Sequence, residues 1–269
     1  MTPIHPRLPR DLARRVAAGL LALVLLAPIP AVGAAVSGNE PSGSRPAKKP
    51  VDPAVRAVLD RMEQAQNQVT SFKAKVTETR RLAVLQKPEI LRGELAFESP
   101  GKFRWDYREP EQRTYVLADG HVIGWIPSRN RVEKMDVERR EARLRRMFAI
   151  GQGTDALLKD FSVTLAAASA VPESDELVLV PESRRMRKRV AEIRMWVDRG
   201  NSLPKQILLV TGEGDSVEFA LSSVQVNPKL ATDAFSLTIP KGAKEVRGIS
   251  GLSIFGNAEE DSDAAEDRM

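Results

Sequence analysis

The chain has 269 residues, no cysteine, two histidines and a formal charge of +5. The absence of thiols excludes disulfides, cysteine nucleophiles, thiolate metal sites and the acylated Cys that anchors a bacterial lipoprotein. Beyond residue 35 there are 37 basic and 35 acidic residues, so most of the basicity belongs to the leading segment.

Residues 1–35 read as a secretory signal. Arg7, Arg10, Arg14 and Arg15 precede an apolar run at 16–27, and small residues at 32–35 place cleavage near Ala34 or Ala35. The run is too short to cross about 30 Å of hydrocarbon, and Pro28 and Pro30 interrupt it. The chain is expected to be exported by the general secretory route. Residues 36–52, rich in Ser, Gly, Pro, Ala and Lys, have no apolar period and read as a flexible linker.

Pro53 opens a predicted amphipathic helix with Val55, Val58, Leu59, Met62 and Ala65 on one side. From Phe72 the period becomes two, with Phe72, Ala74 and Val76 alternating against Lys73, Lys75 and Thr77. Further strands are predicted as far as Pro127, divided by Lys87-Pro88, Ser99 to Gly101, Glu109-Pro110 and the hairpin signal Asp119-Gly120. Residues 138–148, ERREARLRRMF, have helical character, with Leu144, Met147 and Phe148 on one side. A short helix is predicted at 154–159 with Thr154 as its cap. Strands follow at 162–165, 176–180, 191–198, 204–211, 216–226 and 235–239. Residues 248–269 form an acidic tail. Strands dominate and no βαβ alternation occurs, so the expectation for 53–247 is an α+β domain. In it, helices group against one face of a large, curved antiparallel sheet.

Chemistry is hard to find. His5 leaves with the signal, and His121 sits at a hairpin turn. Nucleophile elbows, phosphate-binding Gly loops, HExxH and calcium-loop patterns are absent from the sequence. No metal or cofactor is expected, and the chain reads as a non-enzyme. Two Arg clusters, at 139–146 and 184–189, suit anionic head groups or an acidic partner better than nucleic acid, which an exported chain seldom meets. Phe97, Phe103, Trp105, Trp125, Leu144, Met147, Phe148, Met195 and Phe219 are the candidate apolar lining and lid. Such residues ordinarily fill a core. A wide curved sheet with few helices leaves room for an apolar cavity, and hence for a greasy ligand.

In order and spacing, the segment LAFESPGKFRWDYREPEQRTYVLADGHVIGWIPSRNRVEK resembles the periplasmic outer-membrane lipoprotein carriers, the LolA family. VTSFKAKVTET is similar to that family's helix end and first strand, and FSLTIPKGAKEV to its closing strand. The resemblance covers about residues 55–247. It implies an incomplete antiparallel β-barrel with helices as a lid over the apolar concave face. It also implies acylated lipoprotein cargo, received from an inner-membrane transporter and passed by a monomeric carrier to an outer-membrane receptor. Ser99 departs from the pattern, because the family carries Arg at that place and uses it to hold the lid closed. Two alternatives follow from the departures: a carrier of another lipid, glycolipid or phospholipid, and a non-enzymatic envelope sensor or interaction module on the same scaffold.

Overall fold

The computed structural model describes residues 51–99, 101–118, 120–136 and 154–249. The signal, most of the linker, the Arg-rich reading at 138–148 and the tail beyond Ile249 lie outside the described residues.

Helix α1, Pro53–Asn67, starts as its sequence requires: Pro53 occupies the first helical position, and the Asp52 side chain accepts from the Ala54 amide at 2.8 Å. Its buried residues are Val55, Val58, Leu59 and Met62, the predicted stripe. Asn227 then ties the helix end to the sheet. Its amide oxygen accepts from Thr70 N at 2.7 Å, and its Nδ2 donates to Gln68 O at 2.9 Å.

Twelve strands form a single sheet. They are β1 Ser71–Arg81, β2 Glu89–Glu98, β3 Lys102–Glu109, β4 Arg113–Ala118, β5 His121–Ile126, β6 Arg131–Asp136, β7 Phe161–Leu165, β8 Ser174–Pro181, β9 Val190–Asp198, β10 Pro204–Thr211, β11 Ser216–Val226 and β12 Lys244–Arg247. The spatial order is β12-β6-β5-β4-β3-β2-β1-β11-β10-β9-β8-β7. Two antiparallel meanders, β1–β6 and β7–β11, therefore meet where the eleven-residue strands β1 and β11 pair. Among the described strands, only the β12–β6 pair is parallel. β2 and β3 approach closely at a register shift beside Gly93, where an added Cβ would fall 2.1 Å from Asp106 O. No side chain fits there.

Two short helices complete the described elements: α2, Thr154–Asp160, and α3, Arg184–Arg187, with a 3₁₀ turn at Pro127–Arg129. α2 buries Leu157 and Leu158 in the cluster that also contains the α1 stripe and the inward faces of both meanders.

Two sequence expectations are corrected. Thr154 does not cap its own helix but donates its hydroxyl to Glu63 on α1 at 2.5 Å, which joins the two helices. Residues 235–239 alternate as a strand should, and Phe235, Leu237 and Ile239 are half-buried, yet no ladder forms. The segment runs as a strap along the outer face, with Ala234 O and Ser236 O held by Arg104 Nη1 at 3.3 and 2.9 Å. The strand that does close the sheet is the next one, β12, which pairs with the otherwise open edge of β6.

Candidate functional site: the concave face of the sheet

Facing residues of paired strands share a side of the sheet, so the register reads out the concave face row by row. One row is apolar throughout: Phe72, Phe97, Phe103, Leu117, Val122 and Met135. The next is aromatic at its centre: Ala74, Leu95, Trp105, Tyr115, Gly124 and Glu133. The third turns polar, with Val76, Gly93, Tyr107 and Arg113. In the other meander, Phe219, Ile207, Met195, Leu177 and Leu165 form a continuous apolar row that begins opposite Glu78. In the first meander polarity is thus graded along the strands, from hydrocarbon at one end to charge at the other, whereas the second meander is apolar throughout these rows.

Trp105 stands at the middle of this gradient. It stacks on Tyr107 with centroids 5.1 Å apart and meets Phe103 and Phe219 edge-on at 6.0 and 5.9 Å. Tyr115 continues the array, edge-on to Tyr107 at 6.4 Å. Gly124 makes room for that ring, since a Cβ there would come within 2.6 Å of it.

The polar end is built from buried charge. Glu78 accepts from Arg80 Nε at 2.5 Å and from the Tyr107 hydroxyl at 2.6 Å, and Arg80 also reaches Glu89 at 3.5 Å. Burial is the largest single influence and opposes the charge on Arg80, but Glu78, Tyr107 and Glu89 together outweigh it and the guanidinium is held above its usual range. Burial, reinforced by Glu78, pushes the Tyr107 phenol well up. Burial first and the Glu133 carboxylate second raise Tyr115 in the same way. Both phenols therefore remain protonated donors.

Phe97, Phe103, Trp105, Met195 and Phe219 all lie on the concave face. Trp125 does not. It pairs with Thr114 and Val132, one position out of phase with Tyr115 and Glu133, and so faces the outer side that carries Val116. Leu144, Met147 and Phe148 lie outside the described residues. Sequence reasoning missed the buried ionic end, although the signal was present: the parity that turns Phe72, Ala74 and Val76 inward also turns in Glu78 and Arg80.

The expected open cavity is closed in this structure. α1 and α2 place Val55, Val58, Leu59, Met62, Leu157 and Leu158 against the concave face, and Trp105 is 0% exposed. One ion pair holds α1 to the sheet and another joins α2 to α1. Arg61 of α1 binds Asp175 at the start of β8, and Arg56 Nη1 reaches Asp155 of α2 at 2.9 Å. Burial alone would raise the Asp175 carboxyl, but hydrogen bonds from Arg61 and Arg199 hold it below the usual carboxylate range. Ser99 donates its amide to Thr70 O at 2.8 Å, at the hinge between α1 and β1. Among the described residues, no group of three or more His, Asp or Glu side chains is placed to hold a metal.

Residues 67–238 match the family model for the outer membrane lipoprotein carrier protein LolA. The chain belongs to this family. It is 28% identical over 166 residues to the outer-membrane lipoprotein carrier protein of Bordetella avium, covering 58% of this chain and 70% of that protein. It is 26% identical over 186 residues to the corresponding protein of Nitrosomonas europaea, covering 67% of this chain and 84% of that one. Among solved structures, an uncharacterized conserved protein from Thermus thermophilus superposes with a TM-score of 0.48 at 14% identity, covering 72% of this chain and 99% of that chain. The LolA assignment fits an open, curved, almost wholly antiparallel sheet with few helices.

Proposed function

We propose that this LolA-family protein is a non-enzymatic periplasmic carrier. It shelters the acyl chains of lipoproteins on its concave face and moves them from the inner to the outer membrane. The observation that carries the reading is the graded face of the first meander, roofed among the described residues by α1 and α2. Burying an acyl chain yields about 0.8 kcal/mol per methylene, so two or three chains outweigh the contacts of a small lid. In this reading the structure is the closed form, and cargo enters as α1 and α2 lift. The family's Arg is replaced by Ser99, and the Arg61–Asp175 pair, which joins α1 to β8, takes over lid retention. Residues 1–35 serve as the export signal, 36–52 as a tether and 53–247 as the carrier domain, acting as a monomer between a membrane transporter and an outer-membrane receptor.

The test is uptake of a fluorescent fatty-acid probe by the purified protein. Binding with one saturable site, weakened by Trp105→Asp, supports the carrier; no uptake by the wild type overturns it. One observation favours a second role in docking. Arg184, Arg185, Arg187, Lys188 and Arg189 are exposed, and among the described residues none forms a salt bridge. An acidic partner bound there would be released by moderate salt.

A further inference from the structure

The concave face contains two buried hydrogen-bond donors for which the fold supplies no acceptor, since Arg113 beside the Tyr115 hydroxyl can only donate to it. Among the described residues, the buried side-chain polar atoms without a partner are Arg61 Nε, Trp105 Nε1, Tyr115 Oη, Arg131 Nε and Thr211 Oγ1. The two guanidinium groups are engaged through other nitrogens, with Asp175 and with Glu133. Trp105 has no other polar atom. Its indole N–H is fully buried and unsatisfied, a state that native proteins rarely tolerate without a reason. Two other buried aromatic donors are satisfied: Trp196, on the outer face, donates to Glu176 at 2.9 Å, and Tyr107 donates to Glu78 at 2.6 Å.

The position of the two donors identifies what is missing. Trp105 and Tyr115 face each other in register, between the wholly apolar row from Phe72 to Met135 and the ionic group of Glu78 and Arg80. A ligand whose hydrocarbon follows the apolar row brings its first polar atoms to this level. The complement of an N–H and an O–H is an acceptor. A neutral acceptor suits the place better than an anion, because burial disfavours an added charge and Glu133, 1% exposed, shares the row with both donors.

We propose that Trp105 Nε1–H and Tyr115 O–H are two donors at one level of the face, each placed for an ester or amide carbonyl that links an acyl chain to its head. This deepens the carrier reading and rests on it. The site selects acyl over alkyl lipids and fixes how deeply the chains enter.

The experiment compares dipalmitoylglycerol with its dihexadecyl ether analogue, which has the same chain length and no carbonyl, as competitors of the fluorescent fatty-acid probe. Wild-type protein prefers the ester by about tenfold, the scale of one or two neutral hydrogen bonds made in a dry site. Trp105→Phe, which keeps an aromatic ring but lacks the N–H, loses most of the ester-over-ether preference, read as the ratio of the two affinities whatever their absolute values. A second readout uses unmodified protein: in ¹⁵N-indole spectra the Trp105 N–H resonance moves downfield with the ester and stays in place with the ether. Equal binding of both lipids by wild type, or an unchanged preference in Trp105→Phe, overturns the donor pair and leaves the carrier reading intact. Failure of both lipids and of the probe to bind overturns the carrier reading itself.

Discussion

Removing Arg61 is the most informative single perturbation of the lid. Its guanidinium joins α1 to Asp175 on β8, with side chains 35% and 14% exposed. Asp175 keeps a second partner, Arg199, whose Nη2 lies 2.9 Å away, so Arg61→Ala does not strand a buried charge. The loss is that of one partly exposed, charge-assisted pair, about 1 kcal/mol after allowing for solvent screening. If cargo binds only after α1 lifts, apparent affinity scales with the open fraction, and about 1 kcal/mol becomes about a fivefold gain. Titration with the fluorescent probe measures the gain, and hydrogen exchange of residues 55–62 reports the lifting. Arg199→Ala, which leaves the α1 contact in place, is the control and has little effect on either. Unchanged or weaker uptake by Arg61→Ala, with unchanged exchange in α1, refutes the idea that this helix gates the face.

The remaining predictions concern the sheet and its buried charge. Arg80→Met leaves Glu78 buried with only the Tyr107 hydroxyl and lowers unfolding free energy by about 3–5 kcal/mol in urea titrations, whereas Tyr107→Phe costs about 1–3 kcal/mol. Equal effects of the two would contradict the assignment of Arg80 as the main counter-ion. Gly93→Ala drives a Cβ into Asp106 O, and urea titration should show a loss of about 3 kcal/mol or more or failure to fold; near-neutral behaviour would refute the close approach of β2 and β3. The Asp175 carboxyl is depressed in the folded protein, so the stability it adds is fully present above the ordinary value of 3.8 and disappears as pH falls through the lower folded value. Thermal melts between pH 7 and pH 2 should therefore show Asp175→Asn less acid-sensitive than wild type; parallel curves would exclude this linkage.

Much of the architecture is legible in the sequence because one-sided strands announce themselves. β1 and β3 alternate cleanly, and α1 carries a cap, an N1 proline and a single stripe. Trp125 departs from its expected side for a physical reason. In HVIGWI both parities are apolar, so alternation does not say which side faces in, and the inward position opposite Tyr115 belongs to glycine rather than to the larger side chain. Only the register through Trp105, Tyr115 and Gly124 resolves it. Residues 235–239 show the opposite failure, a period-two pattern without a strand, since an apolar edge can lie flat on a sheet while its carbonyls bond to one arginine. The helical closure of the face and the orphaned Trp105 donor depend on long-range contacts that no local pattern encodes.

That the concave face opens to receive acyl chains is tested most directly by native mass spectrometry of the protein mixed with a synthetic triacylated lipopeptide in detergent-free buffer. The expected result is a one-to-one complex, more abundant with Arg61→Ala. Bare protein alone, for wild type and Arg61→Ala alike, would contradict it.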